Sequence, residues 1–159
     1  MRGTNIINMS CDPRGRYLEG IIDDTSKPGT CMQITPGSML NNGRHHWEHY
    51  QAGADADPMI VAVLLDDPLQ GFPVGTAYVS GSRCFLYVPL PGDELNMLVL
   101  GQQGTGSADA FTVGERLTRA NASGKLIKQA TAANAAEFVC LEHIDLPADT
   151  DGLVWCMRQ

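Results

Sequence analysis

FTVGERLTRANASGKLIKQATAANAAEFVCLEHIDLPADTDGLVWCMR, residues 111–158, alternates short apolar–polar runs with turn residues. Four strand candidates stand out, separated by three turns. GERLTR runs into NASGK, where Asn121 and Gly124 suit a tight turn. KLIKQ follows, and then the alanine-rich span 130–136. In EFVCLEHI, Phe138, Cys140 and Glu142 fall on one face and Val139, Leu141 and His143 on the other. The acidic turn DLPADTDG leads into LVWCMR, where Leu153, Trp155 and Met157 alternate with Val154, Cys156 and Arg158. Short strands at this spacing predict a mainly β fold, a small barrel or sandwich of about ten short strands.

The rest of the chain extends the pattern. YLEGIID and TCMQIT read as short strands, the second bounded by Pro28–Gly29 and Pro36–Gly37. MIVAVLLDD is a strand of the fully buried type. CFLYVPL alternates Cys84, Leu86 and Val88 with Phe85 and Tyr87, and PGDE opens LNMLVL. No long helix and no long-period repeat is expected; Gly92–Asp93 and Gly114–Glu115 are at most a weak echo. The chain divides into an extended N-terminal arm, 1–17, and one β-barrel-like domain, 18–159, with a polar loop inserted at 38–58.

Composition bounds the function. In 159 residues, 11 Lys+Arg stand against 18 Asp+Glu, a net charge of −7. That balance argues against nucleic acid as a partner, because phosphates require clustered cations. No apolar run approaches the roughly 20 residues that span a bilayer, so no membrane partner is expected. The first residues lack the basic-then-apolar layout of a secretory signal, so synthesis in a cytoplasm is expected.

Several constellations are of residue types that can carry chemistry. His45, His46 and His49 in RHHWEH would share a metal only on a helix, and Gly43 and the polar surroundings argue against one. A solvated loop with Trp47 and Tyr50 packed on the barrel or on a neighbour is the reading, and no metal or other cofactor is expected. GQQGTGSAD lacks the Lys-Ser/Thr pair of a phosphate loop. Neither a serine elbow nor a calcium loop is present, and no catalytic residue is assigned. Cys84, Cys140 and Cys156 lie in apolar strands and read as buried thiols. Cys11 and Cys31 fall in segments expected to be exposed. They are either free surface thiols or a disulfide between subunits. Arg2, Arg14 and Arg16 make the arm locally basic, either as a frayed terminus or as an anchor on an acidic neighbour.

KPGTCMQI (27–34), PGDELNMLV (91–99), FTVGERLTRANASGKLI (111–127), AEFVCLEHIDLP (136–147) and the closing GLVWCMR occur in an order that resembles the decoration, or cement, proteins of tailed-bacteriophage capsids. The resemblance covers most of the chain outside 38–58. It implies a non-enzymatic β-barrel protein of the virion. Such a protein binds the outer surface of the head and stabilises joints between major capsid protein subunits, as a homotrimer or homodimer. Arg2, Arg14, Arg16, Trp47 and Tyr50 are the expected contact residues, since Trp, Tyr and Arg carry most interface energy. The alternatives are a small trimeric hydrolase resembling dUTPases, supported by PGDELNMLVL and the following Gly-rich loop, and a carbohydrate- or host-attachment module with Trp47 and Tyr50 as its platform.

Overall fold

The computed structural model describes residues 16–35, 44–50, 61–71, 73–101, 109–120, 123–129 and 137–159, with only the backbone of residue 68. The described chain is almost entirely β, as the alternation predicts; its single helical turn is a 3-10 turn at Pro68–Gln70. Five strands, β1 (Arg16–Ile22), β2 (Cys31–Ile34), β3 (His45–His49), β4 (Val61–Leu64) and β5 (Arg83–Val88), close into a barrel in the order β1-β3-β2-β4-β5. Five more, β6 (Glu94–Leu100), β8 (Arg116–Arg119), β9 (Leu126–Lys128), β10 (Phe138–Cys140) and β12 (Asp151–Arg158), close into a second barrel in the order β10-β12-β6-β9-β8. β7 (Asp109–Phe111) and β11 (Ile144–Leu146) pair separately. The strands thus close twice, where one barrel was expected.

The period of two explains both interiors. Ile22, Met32, Trp47, Ala62, Leu64, Cys84 and Leu86 fill the first barrel, with Tyr78 packed among them. The alternate residues Cys31, Val63 and Tyr87 form one lateral row, Cys31 opposite Val63 and Val63 opposite Tyr87. That row joins the second core, with Leu95, Met97, Val99, Leu117, Leu126, Phe138, Cys140, Val154 and Cys156. β4 is therefore buried on both faces, which is why VAVL is apolar throughout rather than alternating.

The two barrels share one plan, a structural repeat that the sequence does not announce. In each, the first and third strands run parallel (β1 with β3, β6 with β9) and every other neighbour is antiparallel. The registers also coincide. Leu64 faces Leu86 as Cys140 faces Cys156, and Leu18 faces Leu86 as Leu95 faces Cys156. Ile34 faces Trp47 as Arg119 faces Leu126, and Met32 faces His49 as Leu117 faces Lys128. Even the connecting turns match. Gly29 N donates to Leu64 O (2.8 Å) and Leu64 N to Thr30 O (2.9 Å), while Gly114 N donates to Cys140 O (2.8 Å) and Cys140 N to Glu115 O (2.9 Å). Gly29 and Gly114 both have positive φ, 88° and 85°, the conformation that glycine takes without penalty. The isolated bridge Ser26–Tyr78 of the first half stands where β7–β11 stands in the second.

Candidate functional site

Three places on this scaffold hold polar chemistry. The first is β3, inside the segment expected to be a loop. It is a strand because Trp47 supplies one large apolar anchor that is 1% exposed in the first barrel. Room for the indole comes from Gly20. A Cβ there would lie 2.5 Å from Trp47 Nε1 and 3.0 Å from the His45 carbonyl oxygen. His46 Nδ1 lies 2.7 Å from Asp23 Oδ1, whose other oxygen accepts from Thr35 Oγ1 at 2.6 Å. His49 Nε2 meets Ser26 Oγ, and His49 Nδ1 lies 3.8 Å from Asp24 Oδ2.

Ser26, His49 and Asp24 thus occur in the order of a hydrolytic triad, but with the burial inverted. Ser26 is 3% exposed, whereas the Asp24 side chain is 41% exposed. A nucleophile must face substrate and its orienting carboxylate must be shielded. The arrangement therefore works as a clasp, tying the loop after β1 to β3; His49 N also donates to Asp24 Oδ2 (2.9 Å). Burial holds the His49 imidazole below its usual pKa, only partly opposed by Asp24. His45 and His49 lie four residues apart on an extended strand, about 13 Å at the usual rise per residue. No group of three or more His, Cys, Asp or Glu among the described residues is placed to hold a metal.

The second place is the seam between the barrels, which the sequence reading missed. Lys27 Nζ and Lys125 Nζ grip the two oxygens of Asp151 at 3.0 and 2.8 Å, and these ammonium groups hold the Asp151 carboxyl below its ordinary pKa against the opposing effect of burial. Leu98 N donates to Gly29 O (2.9 Å) and Cys31 N to Gly124 O (2.7 Å). Tyr87 Oη donates to Asp93 Oδ2 at 2.6 Å. The Arg119 guanidinium stacks 3.6 Å from the Tyr50 ring centroid and pairs with Glu137 at 2.5 Å, and Arg158 lies 3.5 Å from the same carboxylate. The outer row of the first barrel thereby caps the end of the second, where β8 and β12 finish and β6 and β10 begin.

This geometry corrects several expected contacts. Trp47 and Tyr50 are core residues, 1% and 6% exposed, and offer no surface platform for a capsid or a glycan. Cys31 was expected to be exposed but is fully buried in the seam. Its thiol is pushed up to about 12 by burial. EFVCLEHI is not one strand: it splits into β10 and β11, which belong to different sheets. Arg16 is exposed and opens β1, so the arm expected at 1–17 gives its last two residues to the barrel. Arg2, Arg14 and Cys11 lie outside the described residues, as does the Gly-rich stretch 102–108.

The third place is the outer face of β1 and β5. Tyr17 is 62% exposed and meets the Tyr87 ring in a tilted pair with centroids 5.2 Å apart. Arg83 lies over Phe85, and Arg44 and Arg83 both bind Glu19. Exposed Tyr and Arg held on rigid strands make this the described surface best suited to a protein partner. Period-two reading of RYLEG and SRCFL could have found it.

Comparison with family models and with curated protein sequences gives no match. Among solved structures, the chain is similar in fold to the N base of head fiber gp8.5 in bacteriophage phi29. The TM-score is 0.53, with 10% identity, covering 91% of this chain and 94% of that one. At that identity the likeness is one of fold.

Proposed function

We propose that this chain is a structural, non-enzymatic protein of a tailed-phage head. In this reading it binds the outer surface of the shell and reinforces the joints between major capsid protein subunits, as a homotrimer or, failing that, a homodimer. The observation that carries it is the fold likeness to a head fiber base, in keeping with the ordered motifs of the sequence. The physics is compatible. A cement protein needs a stiff body that presents contacts to several neighbours, and linked contacts reach high avidity from modest individual ones. Two barrels joined through a common core supply such a body, and Arg16, Tyr17 and Arg83 supply contact residues of the energetic types.

The test is co-sedimentation of the purified chain with assembled heads of the phage that encodes it. Saturable binding to the head exterior is expected, with no effect of magnesium and a nucleotide on the protein. A variant lacking residues 1–15, which leaves β1 whole, is expected to fold and to lose binding. Undiminished binding of that variant removes the arm from the contact. Failure of the full chain to bind heads removes the proposal.

A further inference from the structure

Because the two barrels have the same register, the paired strand residues of one have counterparts in the other. The contact that joins them can therefore be looked for at the equivalent positions. Inside the chain, the outer row of the first barrel (Cys31, Val63 and Tyr87, all 0% exposed) seals the end of the second. The row equivalent to it in the second barrel is Arg116, Val139 and Met157, with Arg116 opposite Val139 and Val139 opposite Met157. Leu141 and Trp155 stand beside it as Leu65 and Phe85 stand beside the first: Leu141 N donates to Trp155 O (2.8 Å) and Leu65 N to Phe85 O (2.9 Å). Yet this second row is less buried than the first. Val139, Leu141, Trp155 and Met157 are half-buried and Arg116 is exposed.

The end of the first barrel shows the converse. In the second barrel the capped end is marked by Leu95, fully buried, and by Arg119 and Arg158. Their counterparts at the equivalent end of the first barrel are Leu18, Ile34 and Val88. All three are apolar and only half-buried. Among the described residues, then, one face–end contact is made, and the equivalent face and end are left partly exposed.

We propose that these partly exposed surfaces mate between copies: the outer face of β10 and β12, around Val139 and Met157, docks onto the Leu18–Ile34–Val88 end of the first barrel of a second chain. The contact is head-to-tail, so it closes a ring if the rotation per copy permits and otherwise extends a fibre. It rests on the head-protein reading only in naming how the copies would join, and it stands or falls on separate measurements.

The test is sedimentation velocity of the full chain over a range of concentrations. The face is disrupted by Met157→Lys and, independently, by Arg116→Glu at an exposed position. The end is disrupted by Val88→Arg, because the acidic partner that Arg158 has in Glu137 is replaced in the first barrel by Val61. Wild-type chain is expected to self-associate, and each variant is expected to weaken that association by at least about thirtyfold, the size of an interface hot spot. Mixing Met157→Lys with Val88→Arg is expected to restore pairing, stopped at a dimer, because each variant retains the surface that the other lacks. Circular dichroism melting checks that the variants fold. Wild-type behaviour of folded Arg116→Glu and Val88→Arg, failure of the mixture to pair, or a wild type that stays monomeric would each overturn the proposal. Head co-sedimentation, run in parallel, reads the functional proposal separately.

Discussion

Gly20 and Trp47 allow a quantitative trial of the repeat. Gly20 pairs across to Cys84 as Met97 pairs to Val154, and Trp47 faces Ile34 as Leu126 faces Arg119. The same two interior sites therefore hold Gly and Trp in one barrel and Met and Leu in the other. Gly20→Ala would drive a methyl group to 2.5 Å from Trp47 Nε1 and 3.0 Å from the backbone oxygen of His45. Neither neighbour is the loose end of a flexible chain, so the cost falls at the upper end of overpacking, about 3 kcal/mol. Trp47→Leu opens a space but also removes an indole N–H that is buried without a hydrogen-bond partner. Truncation to Ala costs about 3–5 kcal/mol and Leu keeps part of the contact, so about 2 kcal/mol is expected. With Leu at 47 the added methyl group has room, and the double variant should cost about 2 kcal/mol rather than 5, a coupling at the large end for touching residues. Urea unfolding followed by circular dichroism measures all three. Additive costs, within about 0.5 kcal/mol, would refute the claim that the indole occupies the volume vacated by the glycine.

Two further outcomes follow from titrating groups. His49 is held below its ordinary pKa of 6.5, mainly by burial. The unfolded chain therefore takes up this proton first as pH falls. Its contribution to stability is present above that value and declines below it, towards the folded pKa; His49→Gln should flatten this part of the urea-midpoint profile, and an unchanged slope would count against the assignment. Cys31 and Cys84 have thiols pushed up to about 12 by burial, so at pH 8 they should resist iodoacetamide in native protein and react fully once unfolded. Mass spectrometry of the labelled peptides decides it; rapid native labelling would mean that the seam opens at Cys31 or the first barrel at Cys84.

Much of the fold was legible because apolar residues recur every second position in CFLYV, LNMLVL and LVWCMR, each of which lies on a described strand. β3 was not, because HHWEH carries one apolar residue, and a single indole filling the space left by Gly20 produces no period. The repeat was hidden for a similar reason. Counterparts such as Ile34 and Arg119, or His49 and Lys128, share a register but not a chemistry, and only scattered pairs such as Gly29 and Gly114 or Val63 and Val139 agree. Contact residues were the least legible. An aromatic next to histidines in a polar stretch looks exposed, yet Trp47 and Tyr50 face inward, while Tyr17 beside an apolar strand faces out. Which side a residue takes depends on strand partners distant in sequence.

β4 has a consequence beyond packing. Its side chains belong alternately to two interiors, so neither half of the molecule can be excised as a working module. A fragment ending before β6 would leave Val63 and Tyr87 facing water, and one beginning there would lose the lid over Arg119 and Glu137. Each barrel is a ligand that the other has already bound, and mutations in one are filtered by the needs of both.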